Sequence, residues 1–212
     1  MFYVSVWNEI IKDWNADQVF ENIYNLIDSP NMLAELREIL TYNLDHIDFI
    51  DEPLTLGFDC PMDLHCSYTR DQILTALDCL VPVREGVKYL PEKKTDILFV
   101  TLNKSIKEYS PSTLYKDYSI NETLFHWQSQ IKTSKTGKTG QRYINHDKLK
   151  SNVLLFVREF KSDEFGITCA YTCLGKVHFR ESHGSSPMNI IWELERPIPV
   201  KYLKKTNKLL IN

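Results

Sequence analysis

The stretch Val153-Leu154-Leu155-Phe156-Val157-Arg158-Glu159-Phe160 is rich in the branched and aromatic residues that favour strands. Short segments of the same kind recur after Pro82, and turn-forming residues separate them. Six or seven short strands predict a barrel or a strongly curved sheet. The predicted strands are residues 87–90, 97–102, 124–130, 153–160, 168–174, 176–180 and 189–194.

The connections between these strands carry their own signals. Asp163-Glu164-Phe165-Gly166 and Leu174-Gly175-Lys176 are typical of hairpin turns, and Ser110-Pro111 indicates the start of a short helix. Residues 132–140 contain three lysines and two glycines, which predicts a long loop that stays mobile until it meets a partner.

The first fifty residues predict helices, because apolar side chains recur there at intervals of three and four. Ser29-Pro30 indicates the start of one of them. A capping box at Thr69-Arg70-Asp71-Gln72 predicts another short helix that ends near Leu80. We therefore expect an α+β chain with an acidic helical connecting segment at residues 1–55 and a curved, barrel-like domain at residues 56–212.

Charge divides the chain in the same way. Residues 1–65 hold two cations and thirteen acidic residues, a net charge of −11, whereas residues 66–212 have a net charge of +8. No run of eighteen apolar residues and no signal-peptide pattern occurs in the sequence, which indicates a soluble cytoplasmic protein. Five scattered cysteines favour reduced thiols over disulfides.

Cations are densest between residues 131 and 161, where only Asp147 and Glu159 oppose them. Such a density suits a phosphate backbone. It is also compatible with a solvated loop and a charged strand edge that blocks aggregation. The cations are Lys132, Lys135, Lys138, Arg142, Lys148, Lys150, Arg158 and Lys161.

Aromatic rings, side-chain amides and cations alternate in the region that precedes and overlaps this basic stretch. Rings stack on bases, amides bond their edges and cations bind phosphates, so the composition indicates nucleotide recognition. The segments are Tyr115-Lys116-Asp117-Tyr118, Phe125-His126-Trp127-Gln128-Ser129-Gln130 and Gly140-Gln141-Arg142-Tyr143-Ile144-Asn145-His146.

The middle segment alternates with period two. As a strand it would present Phe125, Trp127 and Ser129 on one face, and His126, Gln128 and Gln130 on the other. A polar row beside rings could line a recess for an extruded base. The alternative is that Phe125 and Trp127 belong to the core and that the glutamines are merely solvated.

Fragments that imitate enzyme motifs are incomplete. Gly137-Lys138-Thr139 resembles the end of a phosphate-binding loop, but Lys132 occupies the position of the first glycine, and we expect a strand where a helix is required. His146-x-Lys148 resembles half of a phospholipase-D motif, but Val153 replaces its aspartate. We expect no catalytic residues, no metal and no cofactor.

From Cys60 to Pro199 the chain resembles a C-terminal domain of bacterial superfamily II helicases that also carry a phospholipase-D-type nuclease, namely type IV restriction enzymes of the SauUSI kind. Eight segments carry this resemblance. They are residues 68–70, 84–87, 99–105, 109–113, 125–130, 140–146, 155–159 and 171–175.

The resemblance implies a target-recognition module that binds double-stranded DNA containing 5-methyl- or 5-hydroxymethylcytosine, with an SRA-like barrel that flips the modified base. It implies that the helicase and nuclease domains of a parent enzyme are partners, and that the chain is an excised recognition fragment or a free-standing module. No membrane is expected. Because every helicase and nuclease element is missing here, the chain would not be catalytic alone.

Combining these arguments, we predict two groups of site residues. The base-binding residues are Tyr115, Asp117, Tyr118, Trp127, Gln128, Ser129, Gln130 and Tyr143. The phosphate-binding residues are Lys104, Lys132, Lys135, Lys138, Arg142 and Arg158. The alternative function is a helicase-associated protein-interaction or regulatory module that binds through its acidic helices and reads no base.

Overall fold

The computed structural model describes residues 1–7, 15–46, 52–103, 117–200 and 202–203. These residues form an α+β structure, as the sequence predicts. The helices are α1 (Phe2–Trp7), α2 (Ala16–Ile27), α3 (Pro30–Asp45), α4 (Arg70–Ala76) and α5 (Lys138–Ile144). The strands are β1 (Ser67–Tyr68), β2 (Val87–Leu90), β3 (Thr95–Thr101), β4 (Tyr118–Ser119), β5 (Leu124–Gln128), β6 (Asn152–Arg158), β7 (Tyr171–His183) and β8 (Asn189–Leu194).

All eight strands join one mixed sheet in the order β2-β3-β6-β7-β8-β5-β4, and β1 pairs with the beginning of β7. Only β3 and β6 run parallel, and every other pair is antiparallel. Among the described residues the two edge strands β2 and β4 do not pair, so the sheet is open where a closed barrel was one expectation.

Two apolar clusters lie on opposite faces of the central strands. The first joins Ile97 and Phe99 of β3 to Ile73 and Leu74 of α4 and to the segment around Met62. The second lies on the other face, around Trp192 of β8. Every residue of β3 is buried, because an apolar layer covers each face of the strand.

The predicted hairpin at Gly175 is wrong, because β7 runs unbroken through it. Leu155 pairs with Gly175 and Phe156 with Cys173, so Leu174 is the extra residue of a β-bulge. Gly175 has a φ of +80°, which a residue with a side chain rarely adopts. The bulge bends β7, whose first part pairs with β6 and whose last part pairs with β8.

Three other predictions of local structure are confirmed, and a fourth falls outside the described residues. The capping box of α4 is present, with Gln72 N–H donating to the Thr69 hydroxyl and Thr69 N–H to the Gln72 amide oxygen. α3 begins at Pro30 as predicted. The hairpin turn at residues 163–166 is also confirmed, because Asp163 accepts bonds from the N–H groups of Phe165 and Ile167. The Ser110-Pro111 helix lies outside the described residues.

The boundary predicted at residue 55 cuts through packed structure. Pro53 forms a bridge with Asp63, and Leu54 is buried in the first apolar cluster. The first helix also touches the larger part, since the Gln72 amide donates to the Ser5 hydroxyl at 2.8 Å. The described residues 52–55 therefore pack with the sheet domain.

Gly175→Ala should lower the free energy of unfolding by about 2–4 kcal/mol. A methyl group there combines the strain of a positive φ with an overlap on the buried Leu64 side chain. Gly166→Ala is the matched control, because its φ is +79° and nothing lies near the added methyl, so only about 1 kcal/mol of strain is expected. Urea denaturation of both variants measures the difference; equal losses would rule out close packing against Leu64.

Candidate nucleic-acid interface

Two of the predicted stacking rings lie in the core. Trp127 is 4% exposed and Tyr143 1% exposed, and their rings meet edge to face with centroids 5.5 Å apart. Both rings also contact Trp192. Their predicted stacking on a base is therefore wrong for this arrangement, because a base would have to displace the packed core. The structure confirms the alternative reading, in which Phe125 and Trp127 are core residues.

Two of the predicted polar readers are buried as well. The Asp117 carboxylate is 2% exposed and accepts the Gln128 N–H at 2.9 Å. Ser129 is fully buried, and its hydroxyl accepts the Met188 N–H. These contacts hold β5 in place, so the expected direct contact of Asp117 and Ser129 with a base is not available in this arrangement.

Two of the remaining predicted readers, Tyr118 of β4 and Gln128 of β5, lie on the opposite face of the sheet. Tyr118 and His126 stack with ring centroids 4.8 Å apart, and the Gln128 amide donates to the Asn189 side chain at 3.2 Å. All four side chains are half-buried and point away from the core, because alternate residues of β5 face outwards. We call these four residues the ring–amide face. Gln130, also half-buried, follows β5, and Tyr115 lies outside the described residues.

The basic residues 131–138, which we call the lysine loop, follow β5 after Ser129 and Gln130 and end at the first residue of α5. Lys132, Lys135 and Lys138 are exposed, and no carboxylate of the described residues pairs with them. Hydrogen bonds connect the lysine loop to neighbouring segments, and its mobility stays a prediction. Lys135 N–H donates to the Ser185 hydroxyl at 3.0 Å, and the Gln141 amide donates to the Lys135 carbonyl at 2.8 Å.

A helix that the sequence reading missed follows the lysine loop. α5 begins at Lys138, immediately after Gly137, so one of the two arguments against a phosphate-binding loop was wrong. The other argument stands, because Lys132 still occupies the position of the first glycine of that motif.

Arg142 of α5 is committed to the fold. Its Nε and Nη2 donate to the Asp96 carboxylate at 2.7 and 2.8 Å, and its guanidinium lies 3.8 Å from the centre of the Tyr89 ring. Asp96 is 2% exposed. Withdrawing the cation would leave a buried carboxylate unpaired, so the phosphate contact predicted for Arg142 is incompatible with this arrangement.

Arg158 lies at the other end of β6, in a separate cleft. Its Nε donates to the Thr101 hydroxyl, its Nη1 donates to the Cys169 carbonyl, and its guanidinium lies 4.4 Å from the centre of the Tyr171 ring. The cleft has a volume of about 270 Å³. Because α5 contacts the start of β3 through Asp96, the lysine loop and this cleft lie towards opposite ends of the parallel strands. Lys104 lies outside the described residues.

One cluster of the described residues has the composition of a metal site. Ligand atoms of His146, Asp147 and His178 lie within 4.8 Å of one another. However, His146 Nε2 accepts the Phe179 N–H at 2.9 Å, and Nδ1 lies 3.2 Å from the Ser151 carbonyl. Both ring nitrogens are thus engaged, Nε2 with β7 and Nδ1 with the residue before β6, and a metal ion would have to replace those bonds.

Burial lowers the pKa of His146 below its ordinary value, although the Ser151 carbonyl and Asp147 oppose the shift. A depressed pKa means that the unfolded chain binds the proton more readily than the folded one. The stability contributed by neutral His146 is therefore complete above about pH 6.5 and is lost as the pH falls through the lower pKa of the folded state.

His146→Gln should therefore reduce the acid sensitivity of the fold. Urea denaturation at pH 7.5 and 5.5 should show a fall in the free energy of unfolding that is larger in the wild type than in this variant. His178→Gln, at a 44% exposed side chain, is the control and should keep most of the fall. If His146→Gln shows an undiminished fall, another group causes the pH dependence.

Comparison with known families adds one match. The family model described as "Domain of unknown function (DUF3427)" matches residues 62–205, which include α4, α5 and all eight strands. No curated protein matches the chain. Among the described residues, no helix has the length and apolarity needed to cross a membrane.

Proposed function

Since the chain belongs to the DUF3427 family, a domain of unknown function, we propose a role from its geometry and its sequence resemblance: it is the DNA-binding target-recognition module of a type IV restriction enzyme. In this proposal the module recognises 5-methyl- or 5-hydroxymethylcytosine in double-stranded DNA by flipping the base out of the helix. It is not catalytic alone and acts beside the helicase and nuclease domains of a cytoplasmic parent enzyme.

The observation that supports DNA binding most strongly is the continuity of the lysine loop with the ring–amide face. Three exposed lysines lie in the segment that connects α5 to the strand carrying His126 and Gln128. Cations on an ordered loop bind phosphates without a large ordering cost, and neighbouring rings and amides contact unpaired bases. The open, curved sheet is compatible with the SRA-like architecture that the resemblance implies.

A second candidate function has its own support. The α2–α3 pair exposes large apolar side chains, among them Tyr24 (63%), Ile39 (58%) and Leu44 (67%), and carries six acidic residues against Arg37 alone. Such a surface suits protein contact better than DNA contact. The alternative is therefore a helicase-associated interaction or regulatory module, which predicts binding to a partner protein and no binding to DNA at moderate salt.

Replacing Lys135 and Lys138 by alanine should weaken binding to methylated and unmethylated duplexes equally. Each phosphate contact contributes about 0.9 to the slope of log K against log salt, so the slope should shrink by about 1.8. Fluorescence anisotropy across a salt series measures it. Lys176→Ala is the control, because its ammonium already pairs with Glu195 at 2.9 Å. An unchanged slope in the double variant would exclude phosphate contact by these lysines.

Tyr118→Ala should weaken binding of both duplexes by about 1–2 kcal/mol, because it removes a ring on which a base can stack. Tyr24→Ala, at an exposed ring of α2, is the matched control and should leave DNA binding unchanged. Anisotropy titrations at one salt concentration suffice. Equal effects of the two substitutions would show that the ring–amide face has no special role, and wild-type protein that binds neither duplex would favour the interaction module.

A further inference from the structure

The four residues of the ring–amide face are neighbours by strand register. Tyr118 is paired with His126 across β4 and β5, and Gln128 is paired with Asn189 across β5 and β8. His126 and Gln128 are two residues apart on β5, so about 6.6 Å of strand separates the ring pair from the amide pair. His183 continues the amide row onto β7, where it pairs with Asn189. Rings and amides therefore form adjacent rows on one face of the sheet.

The two rings form a stack that a third ring can extend. Their planes differ by 15° and their centroids are 4.8 Å apart, so each ring turns one of its faces to the other. Tyr118 and His126 are half-buried, which leaves part of each side chain at the surface. A nucleobase that stacks on such a ring must be unpaired, because neighbouring base pairs cover both faces of a base inside a duplex.

The amide pair keeps both kinds of hydrogen-bonding group at the surface. Gln128 Nε2 donates to Asn189 Oδ1 at 3.2 Å, which fixes the two side chains relative to each other. Among the described residues, Gln128 Oε1 and Asn189 Nδ2 have no hydrogen-bond partner. An acceptor beside a donor matches the edge of an unpaired base, which offers groups of both kinds.

The lysine loop borders the amide end of this face. Ser186 N–H donates to the Thr133 carbonyl at 3.2 Å, which joins the loop to residues 184–188 between β7 and β8. The carboxylates of Glu181 and Glu193, which lie on the same face, are farther along the strands from this end. A strand of nucleic acid on the face would therefore place its phosphates beside cations at the amide end.

We propose that the ring–amide face and the lysine loop together bind single-stranded DNA. One base stacks on Tyr118, Gln128 and Asn189 bond the edge of a neighbouring base, and the lysine loop holds phosphates. The inference rests on the proposed function, because the helicase domain that the proposed function places beside this module separates DNA strands. The face is open over several residue positions, so it accommodates consecutive unpaired nucleotides rather than one extruded base alone.

The test measures fluorescence anisotropy of a labelled deoxythymidine oligomer of about sixteen nucleotides, the upper end of the site sizes of single-strand-binding folds, and of an unmodified duplex of equal length. Wild-type protein should bind the single strand more tightly than the duplex at the same salt concentration. Gln128→Leu with Asn189→Leu should weaken single-strand binding about fivefold to tenfold and leave duplex binding unchanged, because base pairing occupies the edges that the amides would bond.

The stacking ring is tested separately. Tyr118→Phe keeps the aromatic surface and should retain the affinity for the single strand, whereas Tyr118→Leu should lose at least about fivefold. Asn25→Leu with Asn31→Leu, at exposed amides of α2 and α3, is the matched control for the amide variant and should change nothing. Thermal unfolding identifies any variant that has lost its fold.

Single-strand binding that survives in both the amide variant and Tyr118→Leu overturns the site, and so does equal affinity of the wild type for the single strand and the unmodified duplex. Either result leaves the proposed function standing if a methylated duplex is still preferred over an unmodified one. Single-strand binding that depends on Tyr118 and Gln128, without any preference for the methylated duplex, supports the site and overturns the recognition of a modified base.

Discussion

The architecture depends on the bend that β7 makes without losing its pairing. β7 joins the two halves of the sheet, because its first part pairs with β6 on one side and its last part pairs with β8 on the other. The bulge at Leu174 and Gly175 and a second register shift between Phe179 and Glu181 allow this curvature. The Trp192 cluster covers one face of the sheet, and α4 packs in the cluster on the other face.

Packing of that core determines which of the polar and aromatic residues remain available for binding. Trp127 and Tyr143 pack around Trp192, and the Arg142–Asp96 pair attaches α5 to the start of β3. Removing either member of a buried ion pair typically costs about 3–5 kcal/mol of folding stability. That is more than one exposed ion pair, such as a lysine with a phosphate, contributes. Of the described residues predicted to bind, those of the lysine loop and the ring–amide face are therefore the ones at the surface.

Sequence patterns predict the strands well because alternation and β-branched residues are local properties. β2 and β8 coincide with their predicted ranges, and the capping box locates the start of α4. The alternation with period two also shows that Phe125 and Trp127 share a face of β5. It does not show which face meets the core, and the prediction that Trp127 stacks on a base was wrong for that reason. A glycine with positive φ fits a turn and a bulge equally well, which explains the error at Gly175.

Long-range partners have no local signal at all. Asp96 lies 46 residues before Arg142 in the sequence, and the residues around each of them carry no pattern that predicts the ion pair. The same holds for Arg158. Its hydrogen-bond partners Thr101 and Cys169 come near it only once β3, β6 and the segment before β7 are aligned.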